Sequence, residues 1–372
     1  MNRAPRGRSS RAALACAVVV SLAAGAPARA HVVYGGTTLR ALTLESDLVA
    51  RARIVDPSAE LWVEEPLQRE SVVVAEVLEV LRGASEAEEL RFVQHGHGAP
   101  LYASGEEVLL FLERIERSPE LGESAVAARI RWVSAQEAGT RFALDDRTRD
   151  RFTAAVRAYA ELARLPAAAR LDALRSITLR LLASPEPELA GSALRDLVLA
   201  GDVPILTRDD LPALEPLLAR AATPIGVRIG LLAELERRGL VDGPRRWAEL
   251  VRTTSGPDRL AAVRGAGAHP SEPVARELAR LLESEDAHLV ASAAVALGSP
   301  GSEAAVAPLA KLLGSGEPRV RTAAIRGLGK VATPGAREAL AKAAASHPDA
   351  ETRRRAGAEI KRIAPAAGST PR

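Results

Sequence analysis

The chain is 372 residues long, with 50 Lys+Arg against 47 Asp+Glu and a formal charge of +3. A hydrophobic fraction of 47% excludes a wholly disordered chain, and this length accommodates one or two domains with real cores. Aromatics are only 3%, so a core must be built from Leu, Ala, Val and Ile, and a base-stacking nucleic-acid surface has few residues to use.

Residues 1–30 read as a secretory signal peptide. Arg3, Arg6, Arg8 and Arg11 precede an apolar run from Ala12 to Ala24, and Ala28-Arg29-Ala30 supplies an A-x-A cleavage site. The run is too short for a stable bilayer anchor. No Arg-Arg pair is present, which favours the general secretory route, and Ala13-Leu14-Ala15 before Cys16 is a poor lipobox. Cleavage after Ala30 removes five arginines and changes the net charge to −2. It also removes Cys16, the single cysteine, so disulfides, thiol chemistry and Cys-ligated metals are excluded from the mature chain. The expectation is a periplasmic or extracellular protein with no integral membrane segment after cleavage.

Residues 31–147 read as β-rich. Thr38 to Ser46 predicts a short helix. Strands are predicted at Leu48–Val55, Ser71–Val80, Leu90–Val93, Glu107–Leu112 and Ala127–Val133, punctuated by Pro57, Pro66, Gly83, Gly96, Gly98 and Gly105. Seven of the ten aromatics fall here, from Tyr34 to Phe142. So many short strands in this length suggest a small closed or half-closed barrel. Three pieces, Ser46-Asp47-Leu48-Val49, Glu79-Val80-Leu81-Arg82-Gly83 and Gly105 to Leu112 (GEEVLLFL), resemble an OB-like β-barrel domain of exported bacterial proteins. That resemblance implies a fold and no activity, because such barrels host unrelated functions.

Residues 148–364 change to apolar spacings of three and four, with Pro or Gly every 12–18 residues. An internal repeat runs through them. Val320 to Gly329 (VRTAAIRGLG) aligns with Leu289 to Gly298 at an offset of 31, with Asp258 to Gly267 at 62, and with Val227-Arg228 at 93. Thr352-Arg353 follows one further register on. Small residues such as Ala293, Ala324 and Ala356 predict close helix approach, and Leu297, Leu328 and Ile360 fill the layer between repeats. Gly298 and Gly329 are expected to end their helices in the left-handed conformation. The pattern V-R-x-x-A-x-x-x-L-G resembles bacterial HEAT-like repeats, including the short class found in phycobilisome lyases. The expected fold class is therefore multidomain β + α: a small OB-like β-barrel followed by an all-α HEAT-like solenoid. Residues 365–372 are expected to be a disordered tail.

The chemistry-bearing residues are few. Catalytic candidates are none: no G-x-S-x-G, H-E-x-x-H, Walker or dinucleotide motif appears, and Glu64-Glu65, Glu88-Glu89, Glu106-Glu107 and Asp145-Asp146 read as charged turns or solvated faces. His95 and His97, two apart on a strand, point to one face and could pair on copper or zinc. Cleavage after Ala30 would make His31 the N-terminus, a single feature that resembles histidine-brace copper enzymes. No carboxylate or further histidine lies at ligand spacing, so no cofactor or metal is expected. A barrel-centred metal-binding protein or enzyme using His31, His95 and His97 is the alternative. His269, His288 and His347 read as surface residues at turns and a helix start.

Arg228, Arg259, Arg321 and Arg353 recur at one repeat position. Either they pair with acids in a neighbouring repeat's turn, or they form a basic ridge for an acidic partner. Residues 31–150 carry a net −9, residues 151–300 are neutral, and residues 301–372 carry +7. Opposite ends could also drive self-association, as in a structural envelope protein. The leading expectation is an exported, non-catalytic protein-interaction scaffold with an unidentified protein partner and no nucleic acid.

Overall fold

The computed structural model describes residues 37–63, 68–94, 102–115, 130–136 and 141–363. The leader, the histidines His31, His95 and His97, and the tail 365–372 lie outside the described residues. No described helix is long and apolar enough to cross a membrane.

Helix α1 (Leu39–Glu45) starts where the Thr38 hydroxyl accepts from Ala41 N at 3.1 Å, an N-cap that satisfies an otherwise orphan donor. Strands β1 (Leu48–Val63), β2 (Gln68–Arg82), β3 (Glu89–Gln94), β4 (Glu107–Arg114) and β5 (Trp132–Ser134) run in the order β1-β2-β3-β5-β4, and β4 pairs back on β1 to close the ring. The β3–β5 pairing is parallel and the others antiparallel. Strand β1 serves two partners at once, with Leu48 opposite Leu112 and Arg53 opposite Glu107 while the same stretch also pairs β2. Its register shifts at Arg51/Ala52 and Ile54/Asp56 supply the bend that closure demands. The ring is the expected OB-like barrel. Strand β6 (Phe142–Leu144) adds itself to the edge of β4.

Alternate residues Leu48, Ala52, Ile54, Val73, Ala75, Leu90, Phe92, Val108, Leu110 and Leu112 fill the interior. Leu109 and Phe111 point the other way and are buried too. Phe142 and Phe152 cover that side, with successive ring centroids from Phe111 each 5.7 Å apart. This two-sided burial explains why β4 reads as a continuous apolar run rather than an alternating one.

Phe152 belongs to α2 (Arg149–Arg164), which is followed by α3 (Ala167–Leu182) and α4 (Pro187–Leu199). A chain of charges ties α2 to the barrel. Arg157 pairs with Glu79, Arg51 reaches Glu79 at 3.4 Å and Glu107 at 2.9 Å, and Arg149 reaches Glu107 at 2.7 Å. Burial alone would raise the Glu107 carboxyl, but the bonds from Arg149 and Arg51 outweigh it and hold the group below its ordinary value. A second set of bonds ties α1 to the helices. Buried Asp196 on α4 faces Arg40 at 3.2 Å and accepts from the Tyr159 hydroxyl at 3.1 Å, and Leu39 N donates to the Ser192 hydroxyl at 2.8 Å. Burial pushes the Asp196 carboxyl up.

The chain forms two compact units that meet at residues 217/218, inside α5 (Leu211–Ala219). The barrel and α2–α4 share the first unit, so the compact bodies divide at a different place from the composition change near residue 148. The second contains α6 (Ile225–Arg237), α7 (Gly243–Thr253), α8 (Gly256–Ala266), α9 (Glu272–Leu281), α10 (Ala287–Leu297), α11 (Val306–Leu312), α12 (Pro318–Val331), α13 (Pro334–Ser346) and α14 (Ala350–Ile363). Its helices alternate between two layers. The second helices α8, α10, α12 and α14 pack on one another in sequence, and the first helices α7, α9, α11 and α13 form the other layer. This is the expected repeat solenoid. Ala293, Ala294, Leu297, Leu309, Ala324, Leu328, Leu340 and Ala356 lie in one continuous core between the layers.

Gly298 and Gly329 depart from expectation. Gly298 is not left-handed (φ −65°, ψ 97°), and α12 runs through Gly329 to Val331 before Ala332 takes the left-handed turn at φ 55°. The reason for Gly298 is proximity. A Cβ there would lie 2.6 Å from the Gly327 carbonyl oxygen, and a Cβ on Gly327 would lie 2.6 Å from the Ala294 carbonyl oxygen. Helices α10 and α12 therefore touch backbone to backbone.

Candidate functional site

The four register arginines sit in the first turns of α6, α8, α12 and α14, and each turns its guanidinium back onto the end of the preceding helix. Arg228 Nε donates to Leu218 O at 2.8 Å. Arg259 Nε donates to Thr254 O at 2.5 Å. Arg321 Nη1 donates to Ser315 O at 2.8 Å and Gly316 O at 3.1 Å, while its Nη2 faces Asp349 at 3.3 Å. Arg353 Nη1 donates to His347 O at 2.6 Å and Pro348 O at 2.9 Å. A helix end leaves unpaired carbonyls and a partial negative charge, and a planar multi-donor cation answers both. Arg228 is buried and the other three are half-buried. Burial draws the Arg228 pKa down. These four side chains thus act repeat by repeat as clamps on inter-helix turns. One of them, Arg321, also meets an acid in the next repeat's turn.

Arg170 performs the same clamp outside the aligned repeats, with its Nε on Leu165 O at 2.9 Å. The sequence reading missed it, although its place four residues into a helix after Pro166 matches the others. Helix α10 has Val290 at the clamp position, and its start is secured by Asp286, which accepts from His288 N at 2.8 Å and Leu289 N at 3.3 Å.

The outward side of the second-helix layer carries a different set of cations. On α12, Arg319, Thr322, Arg326 and Lys330 fall on one helical stripe, and all but Thr322 are exposed. On α10 the stripe continues through His288, Ala291 and Val295, and on α8 through Leu260 and exposed Arg264. Two contacts stitch neighbouring rows: Arg319 lies against His288, at 3.0 Å from Nδ1, and Lys330 Nζ donates to Val295 O at 3.2 Å. Burial lowers the Lys330 pKa, and no carboxylate offsets it. Helix α12 contains four cations and no acid. The recurrence of Arg264 and Arg326 two registers apart is the sequence signal that could have exposed this stripe.

Two of the three described histidines are not simple surface residues. His269 stacks on Trp247 with centroids 4.3 Å apart and meets Glu236 Oε2 at 2.5 Å, an oxygen that also accepts from Trp247 Nε1 at 2.8 Å. Burial pulls the His269 pKa down against the opposing pull of Glu236. His347 Nε2 bonds Leu313 O at 2.8 Å and its Nδ1 accepts from Asp349 N at 3.1 Å, joining two repeats. A turn written His-Pro hides this because the partners lie in another repeat. Among the described residues no group of three His, Cys, Asp or Glu could hold a metal ion.

Residues 292–361 match the family model described as HEAT repeats. That segment of the chain thus carries HEAT repeats, and a closed five-stranded barrel precedes it in sequence. No curated protein matches it in sequence. Among solved structures, human deoxyhypusine hydroxylase in complex with glycerol is 21% identical with a TM-score of 0.29, covering 57% of this chain and 84% of that one. A designed armadillo repeat protein is 20% identical with a TM-score of 0.32, covering 51% and 99%. A computationally designed armadillo repeat protein for modular peptide recognition is 19% identical with a TM-score of 0.32, covering 50% and 98%.

Proposed function

We propose that the protein is an exported, non-catalytic scaffold that binds a protein partner through the outward side of its second-helix layer. The observation that carries the reading is that stripe. Across α8, α10 and α12 it offers one continuous surface of cations and small apolar residues, whereas the register arginines are used internally. Export rests on the leader read in residues 1–30, and the compartment is periplasmic or extracellular.

Two measurements test it. The amino-terminal sequence of protein recovered from a bacterial host is expected to begin at His31, and protein that keeps residues 1–30 in the cytosol would overturn export. A photo-crosslinking residue at Ala291 or Thr322 in living cells is expected to give discrete protein adducts that Arg276 and Glu338, on the other layer, do not give. Adducts from neither layer, or equally from both, would overturn the binding face.

A further inference from the structure

The stripe has a chemistry that narrows what it can hold. Arg264 and Arg326 make no hydrogen bond or ion pair among the described residues, and both project from exposed positions. Arg319 and Lys330 are engaged only by a histidine and a backbone carbonyl, so neither charge is neutralised. Acids border the stripe at its ends and flank. Asp286 and Glu317 stand at the N-terminal ends of α10 and α12, with Asp286 occupied as a cap. On α14, Glu359, against Gly329, pairs with Arg362, and Glu351 pairs with Arg354 and Arg355. Between the two charged rows lies an uncharged one, with Ala291 and Val295 beside Leu260 of α8.

Spacing turns this into a template. Packed helices lie about 8–10 Å apart, so α8 and α12 are separated by about 20 Å across α10. An extended chain advances about 3.3 Å per residue, so it crosses one helix in about three residues and the whole stripe in about six. From the charge complementarity of these rows, and resting on the protein-binding reading above, we infer that the stripe holds an extended acidic protein segment. One carboxylate of that segment meets Arg264. An apolar residue about three positions on lies over Val295, and further carboxylates about six positions on meet Arg319, Arg326 and Lys330. Nucleic acid fits less well, since the stripe offers no Phe, Tyr or Trp for a base, its one imidazole, His288, lies against Arg319, and its charges are held in two separated rows.

The test uses the full processed protein and a labelled peptide, Ser-Glu-Ser-Ser-Leu-Ser-Glu-Glu-Ser, followed by fluorescence anisotropy at low ionic strength. Replacing Arg264, Arg326 and Lys330 together by Ala is expected to weaken binding about tenfold or more. Replacing Lys311, Arg337 and Lys342 by Ala, the same charge change on the first-helix layer, is expected to shift it less than about twofold. The peptide with Gln for every Glu is expected to bind no better than to the triple variant. Equal loss in the two triple variants, undiminished binding of the Gln peptide, or tighter binding of a short DNA duplex would each overturn the inference. Crosslinks from Ala291 and Thr322 that persist in the Arg264/Arg326/Lys330 variant would overturn the acidic segment while leaving the scaffold reading standing.

Discussion

An arginine whose donors end on carbonyl oxygens responds to truncation differently from one whose donors end in water. Arg321→Ala strands Ser315 O and Gly316 O and removes the cation facing Asp349. The expected loss is about 2 kcal/mol of unfolding free energy in urea, the scale of a buried hydrogen bond to a charged group. Arg326→Ala, from an exposed position without a side-chain partner among the described residues, is expected to stay within about 0.5 kcal/mol. Equal losses would contradict this division of labour. Asp349 adds a pH signature. Its hydrogen bonds from the Thr352 hydroxyl and Thr352 N, then the Arg321 interaction, hold it down at about 2. Its folded value is thus depressed below the unfolded one, near 4, so its contribution is complete above about 4 and is lost as pH falls toward 2. Asp349→Asn is expected to flatten the acid limb of stability in that window, measured by denaturant unfolding at each pH. The 31-residue register made the clamp arginines visible in the sequence. Recurrence shows that a position is used, but it does not show whether the side chain turns inward to a carbonyl or outward to solvent.

At the scale of elements, what close approach selects is space. Adding a methyl at Gly298 drives it against the Gly327 carbonyl, which belongs to a helix backbone and cannot rotate away. Gly298→Ala is therefore expected to cost about 1–3 kcal/mol although its φ of −65° is open to Ala, read as a lowered denaturation midpoint. A neutral or stabilising result would show that α10 and α12 can part without penalty. The repeats themselves were legible because one pattern is written several times over. Strands β1 to β4 were legible too, because their apolar runs are long and β-branched. Strand β6 was not, since three residues on a sheet edge leave too short a pattern. The glycine roles were misread for a physical reason: a helix-ending glycine and a glycine under a neighbouring backbone look the same in one dimension.

At the scale of the whole molecule, a stack of repeats transmits damage to neighbours before it reaches anything else. In Gly298→Ala, amide hydrogen exchange is expected to quicken from α10 through α14 while strands β1, β2 and β4 keep their protection. Uniform quickening would mean that the two compact units open as one. The barrel and its first helices were not legible as a single body, because the residues that tie them together, Glu79 and Glu107 with Arg157 and Arg149, are far apart in sequence and ordinary in type. The stacked pair Trp247 and His269 has a spectroscopic consequence. Trp247 is the single tryptophan beyond residue 218, so the light it emits reports that unit alone. An imidazolium pressed against an indole ring withdraws excited-state charge. With Trp62 and Trp132 replaced by Phe, the remaining Trp247 emission is therefore expected to dim on acidification with a midpoint below the ordinary imidazole value, turning the protonation of one half-buried histidine into a fluorescence readout of the repeats.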